Sequence, residues 1–225
     1  MRRFASENSL SIFFGVIFFA TLIAKSFAGQ HAFNADQLVH DAQPVSWRDY
    51  VLSPAFGGAV LENWQSEFLQ FTLFILATVW LVQKGSNESK SLDDVGLESD
   101  REQRVGRHAP DDAPRAAKRE RGWRRLVYEN SLLLAMAAIF LLSWGGQSLN
   151  NWRAYNDEQR EHGESTLPWS EYVLNADFWE RSLENWQSEF LAVGTMAAFT
   201  IYLRQRGSPE SKPVGAPHDE TASSG

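Results

Sequence analysis

Four uncharged apolar stretches punctuate an otherwise polar chain: Leu10–Ala24, Phe68–Val82, Ser131–Gly146 and Phe190–Leu203. Helices of a water-soluble bundle keep a polar face at a spacing of about 3.6 residues. Phe13-Phe14-Gly15-Val16-Ile17-Phe18-Phe19 and Leu73-Phe74-Ile75-Leu76 leave no such face. Each stretch is 14 to 16 residues long, against about 20 for a full membrane crossing. Lys25, Lys84 and Arg204 can lengthen the runs by snorkelling, and Trp64, Trp80, Trp144, Trp186 and Tyr202 suit an interfacial belt. The pattern predicts an all-α chain with four transmembrane helices, at about residues 8–28, 64–83, 127–146 and 186–204.

The chain also repeats itself. Glu62-Asn63-Trp64-Gln65-Ser66-Glu67-Phe68-Leu69 recurs unchanged as Glu184 to Leu191, an offset of 122. The same offset aligns Glu7-Asn8-Ser9-Leu10 with Glu129-Asn130-Ser131-Leu132, and residues 83–90 (QKGSNESK) with 205–212 (QRGSPESK). Asn34, His40, Trp47, Tyr50 and Phe56 meet Asn156, His162, Trp169, Tyr172 and Phe178. Self-similarity of this kind marks a duplicated structural unit. The expected organisation is therefore two tandem helical hairpins forming a four-helix bundle. Residues 1–90 form the first two-span repeat, 91–122 a disordered cytoplasmic linker, 123–212 the second repeat and 213–225 a disordered tail.

Charge then orients the spans. The 29–63 and 147–185 loops contain twelve acids and only Arg48, Arg153, Arg160 and Arg181 as fixed cations. The N-terminus, residues 84–125 and the tail contain sixteen Lys and Arg. By the positive-inside rule both termini are cytoplasmic, as an even number of spans requires. Arg2-Arg3, the first apolar run and Ser26-Phe27-Ala28 also resemble a cleaved signal peptide. The recurrence of that opening at Arg124–Leu132 argues for a retained span. The basic cluster Lys118, Arg119, Arg121, Arg124 and Arg125 before the third span suits anionic headgroups better than nucleic acid, since the net charge is −7.

Short helices are expected in the loops, at Asn34–Ala42 and Asn156–His162 and again at Trp47–Leu52 and Trp169–Leu174. Ser53-Pro54 reads as a helix start, Ser as cap and Pro at the first turn. Asp177-Phe178-Trp179-Glu180 reads as a capping box. From each start a helix is expected to run unbroken to Lys84 or Arg206.

Few residues could carry chemistry. Glu67 and Glu189 stand in the first turns of apolar runs, where ionisable groups are costly and face a partner or water. Asn63 and Asn185 lie four residues earlier, on the same helix faces. Lys25 has the depth to pair with Glu67. These five form a candidate polar or ion site; the plainer alternative leaves the carboxylates at headgroup level, bonded to loop elements or water. Trp64 and Trp186 read as interfacial anchors. His31, His40 and His162, with Asp36 and Asp41, match no zinc or calcium spacing, so no metal and no cofactor are expected. The chain has no cysteine, which excludes disulfides and a thiolate nucleophile. P-loop, GxGxxG, HExxH and GxSxG patterns are missing from it too.

The ENWQSEFLQ string, the trailing QKGSNESK or QRGSPESK, and YNDEQREHGE at Tyr155–Glu164 resemble a family of small bacterial membrane proteins of unassigned function, which carry the same two-span unit. The resemblance implies a bacterial inner-membrane location and no activity. The expected protein is thus non-enzymatic, structural or interaction-type. Its partners are the lipid bilayer and a second copy or another membrane protein, with no nucleic acid. The alternative is a small transporter or ion-conducting protein using Glu67 and Glu189.

Overall fold

The computed structural model describes residues 2–40 and 42–222. Asp41 and the last three residues of the expected tail lie outside the described residues. Among those described the chain is all-helical and has no strand. The helices are α1 (Arg2–Glu7), α2 (Ser9–Val39), α3 (Trp47–Val51), α4 (Pro54–Ala77), α5 (Trp123–Glu129), α6 (Ser131–Glu161), α7 (Trp169–Tyr172) and α8 (Ala176–Tyr202). Residues 78–122 form turns and a single 3-10 turn at Gly106–His108.

Two helices, α2 and α6, are long and apolar enough to cross a membrane, rather than the four expected. At 31 residues each, both measure roughly 46 Å. The other two fall short for a local reason. α4 and α8 carry Glu62 and Glu67, or Glu184 and Glu189, in their middle turns, and both end early. α4 stops at Ala77 instead of Lys84, closing through tighter bonds from Val79 N to Leu76 O (3.4 Å) and Trp80 N to Ala77 O (3.0 Å). α8 stops at Tyr202 instead of Arg206. There the Arg204 guanidinium donates to the Thr200, Ile201 and Leu203 carbonyls, satisfying the ends that further helix would have used.

Local signals set the other boundaries. Ser53 caps α4, its Oγ accepting from Phe56 N at 3.3 Å, and Ser46 caps α3 through Asp49 N. The expected capping box at Asp177 is displaced. Asn175 is the cap, accepting from Asp177 N at 2.9 Å, and Asp177 pairs with Arg181 at 3.1 Å. Of the separate polar helices expected at Asn34–Ala42 and Asn156–His162, residues 34–39 and 156–161 are the continuing ends of α2 and α6. No proline interrupts either helix, and a change from apolar to polar side chains does not itself break one.

The chain divides into two compact units, Met1–Val60 with Gln147–Tyr172, and Leu61–Gly146 with Val173–Gly225. Within the first, contacts recur at the 122-residue offset. Asn34 donates to Val45 O (3.0 Å) and accepts from Val45 N (2.8 Å); Asn156 does the same with Leu167 (2.8 and 2.9 Å). Trp47 Nε1 donates to Ser26 Oγ at 3.0 Å, and Trp169 Nε1 to Ser148 Oγ at 3.1 Å. Phe33 packs on Tyr50 as Tyr155 packs on Tyr172, with ring centroids 5.6 and 5.5 Å apart. Gly57 and Gly58 allow α4 to approach α6: a Cβ at Gly58 would lie 2.0 Å from Asn151 Oδ1. In the second unit Trp144 gathers Phe140, Phe178, Trp179 and Trp186, all within 6.0 Å by centroid.

Candidate functional site

The two copies of the repeated octapeptide meet in the second unit. α4 turns Gln65 and Ser66 inward, 0% and 1% exposed, and leaves Asn63, Trp64 and Glu67 on the outside. The equivalent Gln187 and Ser188 on α8 are exposed, so the copies play different parts. Gln65 Oε1 accepts from Trp186 Nε1 at 2.6 Å. An indole N–H only donates, so this bond fixes the amide orientation and sends Nε2 the other way. Gln65 Nε2 is buried with no hydrogen-bond partner. A buried amide donor in that position calls for a water or a ligand acceptor.

Glu189 is half-buried, and Ser66 and Glu67 on α4 lie near enough to act on its carboxyl. Glu189 thus senses its repeat counterpart Glu67, on the stretch of α4 that also buries Gln65. Asn185 donates from Nδ2 to the Arg181 carbonyl at 2.8 Å, within its own helix. Arg181 also reaches Glu62 at 3.6 Å. Lys25, in the first unit, donates from Nζ to the Ala59 carbonyl at 2.6 Å. In that unit Gln147 is fully buried and neither of its amide atoms has a partner. The matched histidines His40 and His162 stack edge to face at 5.5 Å, and His40 Nδ1 bonds the Asp36 carbonyl at 3.0 Å.

The related QKGSNESK and QRGSPESK loops fold alike in the second unit. Ser89 Oγ accepts from Gln83 N (2.8 Å) and Ser211 Oγ from Gln205 N (2.9 Å). Buried Ser86 Oγ and Thr200 Oγ1 join at 2.9 Å. Burial, and then the neighbouring Glu210, hold the Glu88 carboxyl above the usual carboxylate range. The Lys212 ammonium is caged by the Pro217, His218 and Glu220 carbonyls, each at 3.0 Å, and burial lowers its pKa.

These arrangements supply hydrogen-bond donors, carboxylates and aromatic walls. Among the described residues no group of three or more His, Cys, Asp or Glu side chains could hold a metal ion. Gln65 was legible only as part of a repeated string. Its burial depends on Trp186, 121 residues away, and no local signal announces that. A family model described as a domain of unknown function, DUF6766, matches residues 1–223, and the chain belongs to that family. No curated protein and no solved structure matches it.

Proposed function

We propose that this family member is a multi-pass protein of the bacterial inner membrane, non-enzymatic and of structural or interaction type, built from two tandem two-helix units. The observation that carries this reading is the exposure of α2 and α6. Only 6% and 17% of their most apolar windows are buried. A core helix of a soluble protein would be mostly buried, and α6 begins too far into the chain to be a signal sequence. Phe13, Phe14, Val16 and Phe19 on α2 and Leu141 and Leu142 on α6 stand exposed. Hydrocarbon is the solvent that accepts them.

In this reading α4, of 24 residues, and α8, of 27, supply the second crossing of each repeat. The recurrence of hydrogen bonds at one offset supports duplication. The charge distribution supports cytoplasmic termini. Partners are then the bilayer and a second copy of the chain or another membrane protein. Carbonate extraction tests membrane integration, and reporter fusions after residues 40, 90, 162 and 212 test the topology. Release into the carbonate supernatant, or reporters at 40 and 162 on the cytoplasmic side, would refute the proposal.

A second reading is conduction of a proton or small cation past Glu67 and Glu189. The action of Glu67 on Glu189, with the unpartnered Gln65 Nε2 on the same stretch of α4, favours it. Proteoliposomes containing the Glu67→Gln, Glu189→Gln double variant would then lose flux; unchanged flux would remove this reading.

A further inference from the structure

A cavity of about 1010 Å³ lies in the second unit, where the end of α4, the 97–117 turns and the start of α5 and α6 converge. Its walls are divided by chemistry. Ile75 and Leu76 from α4, Val79 from the turn after it, and Leu132 and Leu133 from α6 form an apolar side. These are the ends of apolar helices, so that side continues into the hydrocarbon. The turns and α5 supply a polar side with six charged groups: Glu98, Asp100, Arg104 and Asp112 from the turns, and Arg125 and Glu129 from α5.

Four of those charges are already matched. Arg125 bonds both Asp100 and Glu129, and Glu98 is held by Lys90. Arg104 and Asp112 form no ion pair among the described residues. Each is exposed, and both line the cavity. Arg104 also adopts a left-handed backbone, with φ at 53°. Such a conformation is uncommon for a residue with a side chain, and it is stored where the surroundings enforce it. Here the bonds from Gln103 N to Ser99 O (3.0 Å), Arg104 N to Arg101 O (3.2 Å) and Val105 N to Asp100 O (3.0 Å) impose the turn. The result is one available cation and one available anion facing a space with an apolar floor.

We propose that this cavity binds one phospholipid with a zwitterionic, amine-bearing headgroup. The headgroup phosphate pairs with Arg104, its ammonium with Asp112, and an acyl chain lies along the α4 and α6 wall. An anionic lipid would leave Asp112 opposed to its headgroup, and a soluble phosphate would leave the apolar wall bare. The inference rests on the membrane reading above.

The test is native mass spectrometry of the full-length protein, released from bilayers of equal phosphatidylethanolamine and phosphatidylglycerol. One retained phosphatidylethanolamine per chain is expected, with about tenfold less after Arg104→Ala, the effect of losing a charged hydrogen bond. Asp112→Lys is expected to reverse the preference toward phosphatidylglycerol. Because both side chains are exposed, neither change disturbs the packing. Equal retention of the two lipids, retention of neither, or an unaltered preference in Asp112→Lys would overturn the proposal. Carbonate extraction of the same preparation separates the two ideas. Protein that stays in the membrane pellet yet retains no phosphatidylethanolamine sinks the cavity alone, and protein released by carbonate sinks the membrane reading.

Discussion

Replacing Gly29 by alanine has two opposed effects whose sign can be worked out. In the middle of a helix, Gly→Ala ordinarily stabilises by about 0.5–1 kcal/mol. Here the new Cβ would stand 2.3 Å from Tyr50 Oη, 3.0 Å from Cζ and 3.2 Å from Cε1. That is about 1 Å inside ordinary contact. Tyr50 cannot swing away easily: it is 7% exposed, with Phe33 at 5.6 Å and Phe56 at 5.5 Å by ring centroid. Overpacking of this kind costs about 1–3 kcal/mol. At the middle of both ranges the clash wins by about 1 kcal/mol. The apparent Tm of the detergent-purified protein should fall by about 2–4 °C. Tyr50→Phe removes the atom at 2.3 Å, so Gly29→Ala should cost less in that background, by about 0.5 kcal/mol or more. A Gly29→Ala protein that melts above wild type would show that the α2–α3 approach is looser than described, and the reasoning would fail.

Further outcomes are open to measurement. Asn156→Ala removes two bonds to the Leu167 main chain and should cost about 1–3 kcal/mol; Asn34→Ala should match it closely, and unequal proteolytic sensitivity of the two loops would contradict their equivalence. Trp186→Phe leaves the buried Gln65 amide without its donor, and a loss of about 1–3 kcal/mol is expected in thermal melts; an unchanged melt would mean that water replaces the indole. Glu88 holds its proton more tightly when folded than when unfolded, because of burial and then Glu210. Its contribution is therefore present below pH 4.5 and is lost as pH rises. Glu88→Gln should flatten that part of the stability profile, and melting curves that stay parallel to wild type across pH would exclude the effect.

Elements with local signals were legible in the sequence. Ser53-Pro54 marked the start of α4, and the aromatic groups at Trp47 and Trp169 marked α3 and α7. Boundaries governed by solvent leave no such local signal. Apolar side chains continue past Ala77 to Val82, but a hydrophobic run reports the surroundings and not the hydrogen-bond ladder. The reverse error divided α2 at Asn34, where polarity changes and the helix does not. The carboxylates Glu67 and Glu189 were singled out because charge in an apolar run is conspicuous. Gln65 was not, because a neutral amide costs little until packing removes its water, and that depends on a Trp from the other copy. The repeat itself hid this, since identical strings suggest identical roles while Gln65 is buried and Gln187 exposed.

The asparagine clamps have a consequence for where such a chain can operate. Asn34 and Asn156 each fasten a residue eleven positions further on by both of its main-chain polar groups. Each closes a loop as a covalent cross-link would, in a polypeptide without a single sulfhydryl. Oxidants, reductants and thiol exchange therefore find nothing there to act on, and both loops keep their shape whatever the redox state around them.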